Sequence, residues 1–185
     1  MSRAVFLDRD GVILNDSGYM YRLADLSFAE GAISGLKMLG DEGFALIVVT
    51  NQSGIGRGYF SELDYHKFNT NFVEHLAQEG VHLTAAYHCP HAPALNGVEK
   101  CDCRKPMPGL LLRAIAAHNI DPRASFMVGD RATDIAAGIA AGVLRCVLIS
   151  SHAAVNEVGP LMTARSLKEA ADQIIKYNRN KHNKM

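Results

Sequence analysis

Apolar positions along the chain take two alternating forms, short unbroken runs and longer stretches with helical spacing. Residues 3–7 form a short apolar run and read as a first strand. Over residues 30–42, Ile33, Leu36 and Leu39 share one face of a helix, which Gly43 stops. Phe44 to Val49 is unbroken, as expected of a parallel strand buried on both faces. Ser61 with Asp64 resembles the start of a helix that runs to about Gln78 and ends at Gly80. Leu83 to Tyr87 reads as a third strand, Pro108 to about His118 as a helix, and Ser125 to Val128 as a fourth strand. A small-residue helix from Asp134 to Ala141, closed by Gly142, leads to a fifth strand from Arg145 to Ile149, and Ser166 caps a last helix.

Five such units with right-handed crossovers predict an α/β fold, a doubly wound (Rossmann-like) parallel sheet with helices on both faces. The pattern shows no repeat and no interdomain linker, so one domain is expected over residues 1–178, with no large cap domain and a disordered tail over 179–185 at a Lys-, Asn- and His-rich end. Ligands of such sheets bind beyond the carboxyl ends of the strands, so the polar residues there are the candidates for chemistry.

The first strand ends in Asp8-Arg9-Asp10-Gly11. Residues two apart in an extended segment point the same way, so both carboxylates face one spot, where they repel unless a cation joins them. The second ends in Thr50-Asn51-Gln52-Ser53-Gly54, a corner of hydroxyl and N–H groups suited to phosphate oxygens or, equally, an ordinary polar turn. The glycines at 54, 56 and 58 lack the spacing of a dinucleotide loop. Arg104 and Lys105 stand just before a helix, where cations favour an anion. The fourth strand ends in Gly129-Asp130, with Asp134 four residues on, either a site carboxylate or a helix N-cap.

Residues 88–106 break the rhythm, and a loop of this length needs a reason. Cys89-Pro90-His91 and Cys101-Asp102-Cys103 offer three thiolates and an imidazole, the donor set of a closed, structural zinc site. His88 is a rival to His91, and reduced thiols or a disulfide at Cys89 are the alternatives. Metal binding would fix this zinc-stabilised loop and with it Arg104 and Lys105. Cys146, inside the fifth strand, reads as core.

Charge then removes several classes of partner. The 19 basic and 19 acidic residues cancel, which gives no electrostatic case for nucleic acid or an anionic membrane. No apolar run approaches the ~20 residues of a membrane helix, and no signal peptide is visible, so a cytoplasmic protein is expected.

As an ordered set, Asp8-x-Asp10-Gly11, Thr50, Lys105 and Gly129-Asp130-x₃-Asp134 resemble the four motifs of the haloacid dehalogenase (HAD) superfamily over nearly the whole chain. The resemblance implies a Mg²⁺-dependent phosphatase. Asp8 would be the nucleophile, forming an aspartyl-phosphate, and Asp10 the general acid and then base. Thr50 and Lys105 would hold the phosphoryl oxygens. Asp8, Asp10 (through its carbonyl) and Asp130 would hold Mg²⁺, with Asp134 in support. A zinc loop followed by Cys-x-Cys-Arg-Lys-Pro is similar to two families within the superfamily, the heptose-1,7-bisphosphate phosphatases and the histidinol phosphatases. Asp16-Ser17-Gly18-Tyr19 and the run from Val49 to Gly58 look like the first, whereas a histidinol phosphatase is expected to carry Asp at position 53 and to lack Arg at 57. The expected partner is therefore a small-molecule sugar bisphosphate, a glycan precursor, acted on by a monomer. Its expected contacts are Asp16, Ser17, Gly18, Tyr19, Asn51, Gln52, Ser53, Arg57, Arg104 and Arg131. Histidinol phosphate is the alternative substrate, and a non-catalytic zinc-binding scaffold the remaining reading.

Overall fold

A computed structural model of the protein describes residues 1–94, 101–150 and 161–182. Its strands are β1 (Ala4–Leu7), β2 (Ala45–Asn51), β3 (Ala85–Cys89), β4 (Phe126–Gly129), β5 (Arg145–Ile149) and β6 (Leu161–Ala164). The helices are α1 (Ala32–Asp41), the single turn α2 (Ser53–Gly56), α3 (Glu62–Gln78), α4 (Gly109–His118), α5 (Ala132–Ala140) and α6 (Leu167–His182). All strands pair in parallel, in the order β3-β2-β1-β4-β5-β6.

Side-chain alternation along the strands divides the core into two layers. Val5 and Leu7 of β1 join Leu46, Val48 and Val128 against Leu36 and Leu39 of α1, Phe68 and Phe72 of α3, and Ile174 of α6. Ala4 and Phe6 join Ile47, Val49 and Met127 against Leu110, Leu111 and Ala114 of α4 and Ile135 of α5. Both faces of the sheet are thus covered, as the unbroken apolar runs require. Val5, Phe6 and Leu7 are fully buried, each stabilising by about 1.5–3 kcal/mol, and this anchors the residue that follows them, Asp8. At the start of α3, Ser61 Oγ accepts from Asp64 N at 3.1 Å while Asp64 Oδ2 accepts from Ser61 N at 3.0 Å, the reciprocal cap expected there.

Three expectations need correction. Among the described residues the sheet has six strands rather than five, because Leu161–Ala164 pairs with β5 at the edge. The third strand lies two residues later than Leu83–Tyr87, so His88 and Cys89 belong to it. The tail does not begin at 179: α6 runs to His182, and Arg179 Nη2 lies 2.9 Å from Glu42 Oε2. Residues 183–185 of that tail, and residues 95–100 of the zinc loop, lie outside the described residues.

Strand order reverses between β1 and β4, since β2 and β3 extend the sheet one way and β5 and β6 the other. The crevice beyond the carboxyl ends of β1, β2 and β4 is the place where a ligand binds in such a sheet.

Candidate active site

Asp8 leaves β1 at that crevice, with its N–H donating to the Val128 carbonyl of β4 at 2.9 Å. Gly11 turns the chain with φ +84°, and a Cβ there would collide with the Asp130 carboxylate. The chain therefore passes directly over the end of β4, and glycine is required on both counts.

Lys105 lies at the centre, only 2% exposed. Its Nζ is 2.9 Å from Asp8 Oδ1 and 2.6 Å from Asp134 Oδ1, and it donates to the Val49 carbonyl at 2.7 Å. Burial works against its charge, but the combined pull of Asp8 and Asp134 holds its pKa above the ordinary lysine value. Asn51 clamps its backbone: Nδ2 donates to the Lys105 carbonyl and Oδ1 accepts from the Lys105 N–H, both at 3.1 Å. Asn51 lines the cleft as expected, but its side chain is engaged in placing Lys105.

Three carboxylates surround this cation. Oxygens of Asp8, Asp130 and Asp134 lie within 4.8 Å of one another. Burial raises the pKa of Asp8, as does Asp134, while Lys105 opposes them. Burial, with the charges of Asp8 and Asp134, pushes Asp130 up to about 6. Asp130 Oδ1 is buried and has no hydrogen-bond partner among the described residues. A buried carboxylate oxygen without a partner, beside two further carboxylates, fits a hard divalent cation such as Mg²⁺. Asp134 is not the N-cap of α5, a place taken by Arg131; it lies three residues further on, inside the first turn, where its Oδ2 accepts from the Arg131 N–H at 3.0 Å while its Oδ1 faces Lys105.

Asp10 is held apart from this group. Arg9 donates to its two oxygens, Nε to Oδ1 at 2.8 Å and Nη2 to Oδ2 at 3.1 Å. Gln52 Nε2 bonds Asp10 Oδ2 at 2.8 Å and Thr50 Oγ1 at 2.9 Å. Sequence reasoning passed over Arg9. It is fully buried, with its guanidinium 4.9 Å from the Phe68 ring centroid and 5.8 Å from that of Tyr65. The signal was available, since alternation turns the residue between Asp8 and Asp10 toward the α3 layer, and a buried guanidinium needs an anion.

These groups open into a cleft of about 530 Å³. Asp16, Gly18 and Tyr19 form one wall, Asn51, Gln52 and Ser53 another, and Arg104 and Arg131 border it. Arg131 Nη2 pairs with Asp16 Oδ2 at 3.0 Å, and Asp16 Oδ1 accepts from Gly18 N at 3.0 Å. Two expected contacts are not brought to the cleft. Ser17 and Arg57 are exposed and not part of its lining; α2 carries Arg57 to its far end.

The thiol cluster forms as expected. Cys89 Sγ is 3.4 Å from His91 Nδ1, 3.0 Å from Cys103 Sγ and 3.8 Å from Cys101 Sγ, and His91 Nδ1 is 3.2 Å from Cys103 Sγ. The four donors lie within 4.8 Å of one another and can hold a metal ion. His88 is decided against, because it neighbours Cys89 on β3 and turns to the other face, where its Nε2 lies 3.0 Å from Glu62 Oε1. The cluster adjoins the cleft. Gly56 N donates to the Pro90 carbonyl at 2.8 Å, an approach that a Cβ at position 56 would block. Arg104 Nη1 donates to the His91 carbonyl at 3.2 Å.

Known proteins resemble this chain over most of its length. The HAD-hydrolase-like family model matches residues 102–170. The D-glycero-beta-D-manno-heptose-1,7-bisphosphate 7-phosphatase of Pasteurella multocida is 42% identical over 174 residues, covering 93% of this chain and 95% of the relative. That of Haemophilus ducreyi is 45% identical over 161 residues, covering 85% and 88%. The solved structure of D,D-heptose 1,7-bisphosphate phosphatase from B. bronchiseptica, complexed with magnesium and phosphate, matches with a TM-score of 0.81 at 26% identity, covering 95% of this chain and 99% of that one. Among the described residues no helix is long and apolar enough to cross a membrane. With identity of this level spread over most of both chains, the protein belongs to the D-glycero-D-manno-heptose-1,7-bisphosphate 7-phosphatase family of HAD-like hydrolases.

Proposed function

We propose that this chain removes the 7-phosphate of D-glycero-D-manno-heptose 1,7-bisphosphate, a step in making heptose precursors of lipopolysaccharide or related glycans. The observation that carries the reading is the buried Asp8–Lys105 pair at the floor of a cleft bordered by two further cations, Arg104 and Arg131. One phosphate of a bisphosphate fits the floor, and the other fits the border.

Asp8 attacks phosphorus in line, and the bond from phosphorus to the C7 oxygen breaks. Asp10 supplies the proton that this oxygen takes up. Water then attacks the aspartyl-phosphate, giving its proton to Asp10 and releasing inorganic phosphate and Asp8. Thr50 and Lys105 hold the phosphoryl oxygens, on which transition-state charge is spread. Gln52 and Arg9 orient Asp10, and Asp134 orients Lys105. Mg²⁺, held by the carboxylates of Asp8 and Asp130 and the Asp10 carbonyl, would offset the negative charge of carboxylate and phosphate together. Side-by-side kcat/KM for heptose bisphosphate and histidinol phosphate tests the substrate. The heptose should be preferred by orders of magnitude, and a preference for histidinol phosphate would overturn the reading.

Arg104→Ala should lower kcat/KM for the bisphosphate by about 10- to 100-fold, the loss of one charge-assisted contact of ~1.5–3 kcal/mol. A small aryl monophosphate, with no second anion, should change by less than about threefold on the same argument. Equal losses on both substrates would move Arg104 from recognition into the chemistry.

The thiol cluster is proposed to hold one structural Zn²⁺, since four protein donors leave no open position. Free thiols of this kind suit a cytoplasmic setting. Cys103→Ser should lose the metal, lower Tm and raise KM, because Arg104 hangs from the His91 carbonyl. Zinc content, thermal unfolding and KM check this together; a zinc-free variant with unchanged Tm and KM would refute it.

A further inference from the structure

A second group of donors lies on the other face of β3. Glu62 and His66 stand four apart in the first turns of α3, so their side chains share one side of the helix, and His88 meets them from the strand. One donor atom from each of the three lies within 4.8 Å of the other two. His88 Nε2 is 3.0 Å from Glu62 Oε1, and the His66 and His88 rings meet edge to face with centroids 5.4 Å apart. Two ligand atoms bound to one Zn²⁺ at about 2.0–2.1 Å lie roughly 2.9–3.4 Å apart for angles between right-angled and tetrahedral. The His88–Glu62 spacing is therefore already that of a ligand pair.

We propose that Glu62, His66 and His88 form a third metal site, open to solvent and suited to Zn²⁺ or a similar first-row transition ion. Two imidazoles with one carboxylate favour such an ion, whereas the all-oxygen group at Asp8, Asp130 and Asp134 favours Mg²⁺. Three protein donors leave a position for water, unlike the closed thiol cluster. Glu62 and His66 are exposed, so the ion has a path in from solvent. His88 is held in place by β3 and by the ring of buried Tyr65, with centroids 4.0 Å apart. Coordination takes the tautomer with the proton on Nδ1, leaving the Nε2 lone pair for the ion, while Glu62 Oε1 exchanges a hydrogen bond for a metal bond. The ion would tie the start of α3 to the edge strand, one strand away from Thr50, the register partner of His88.

The test is a metal count on the full chain, as purified and after equilibration with micromolar Zn²⁺ in excess Mg²⁺. Wild type should take up one Zn²⁺ per chain beyond what it retains from purification, with a rise in Tm. His66→Ala and Glu62→Gln should each lose that extra ion and the rise in Tm, while keeping the wild-type Tm in the absence of added zinc. Both positions are exposed, so each variant should fold, and each checks the other. No additional ion in wild type, or an additional ion that survives in both variants, would overturn the site.

Discussion

Asp8→Asn is expected to cut turnover by more than ~10³-fold, the scale on which loss of a covalent nucleophile is felt. An amide is a poor nucleophile toward phosphorus and carries no charge for a cation to share. Packing should suffer little, because the shape is kept and Asp134 still faces Lys105 at 2.6 Å. The loss should therefore appear in kcat for sugar and aryl phosphates alike, with Tm near that of wild type. Chemical trapping adds a second readout: wild type quenched during turnover should carry an acid-stable but base-labile phosphoryl group, and the variant none. Activity within tenfold of wild type would remove Asp8 from the role.

Lys105→Ala should harm both rate and stability. The ammonium compensates two buried carboxylates, and removing one partner of a buried pair typically costs about 3–5 kcal/mol. Turnover should fall by at least ~10²-fold, because a donor to the phosphoryl oxygens is lost. The stability deficit has a pH signature. With Lys105 gone, Asp8 keeps the burial and the neighbouring Asp134 charge that raise its pKa and loses the cation that opposed them, so its folded-state pKa should rise further above the unfolded value. The deficit is then largest at neutral pH and shrinks as pH falls and Asp8 takes up a proton. Thermal unfolding of variant and wild type at pH 5 and pH 8 measures it; a constant difference would count against the buried-pair argument. Lys105→Arg should not rescue turnover, since a planar guanidinium cannot place one nitrogen within 3 Å of all three acceptors now served by Nζ.

Much of the fold was legible because its signals are local. The unbroken run at Phe44–Val49, the Ser61–Asp64 cap and the Gly142 stop each carry their own physical cause, and each lies within a residue or two of its place in the structure. Leu161–Ala164 was missed because four residues at a sheet edge, with a threonine among them, make no pattern of their own. Their strand character comes from pairing with β5. The start of the third strand was misplaced for a related reason: Thr84 hydrogen-bonds to the Leu46 carbonyl at 2.8 Å, but the ladder proper starts at Ala85.

The candidate site divides in the same way. Asp8, Thr50, Lys105, Asp130 and Asp134 could be named from strand-end position and motif order, and the fold brings them together. Side-chain partnerships were not legible. Nothing in the spacing shows that Asn51 clamps Lys105, 54 residues away, or that Gln52 bridges Thr50 and Asp10. Arg57 was placed in the cleft because it follows the second motif closely, but one helical turn is enough to carry it away. The choice between His88 and His91 needed the β3 register, which turns His88 to the face opposite Cys89, whereas His91 lies beyond the strand and reaches Cys89 and Cys103.

The surroundings of Lys105 carry a consequence for the order of events on the enzyme. An ammonium has three N–H bonds, and Lys105 already has three oxygens around it, from Asp8, Asp134 and Val49. A phosphoryl oxygen can be gripped only if one of these lets go. The Val49 carbonyl belongs to a sheet strand, and Asp134 forms no bond to phosphorus. Asp8 is the one whose charge disappears, at the moment its oxygen becomes bonded to phosphorus. The lysine would then release Asp8 as the acyl-phosphate bond forms and pass to the incoming phosphoryl group, a hand-over timed by the reaction itself. Hydrolysis of that mixed anhydride would restore the anion and call the lysine back, loosening its hold on the departing phosphate and resetting the site for the next turnover.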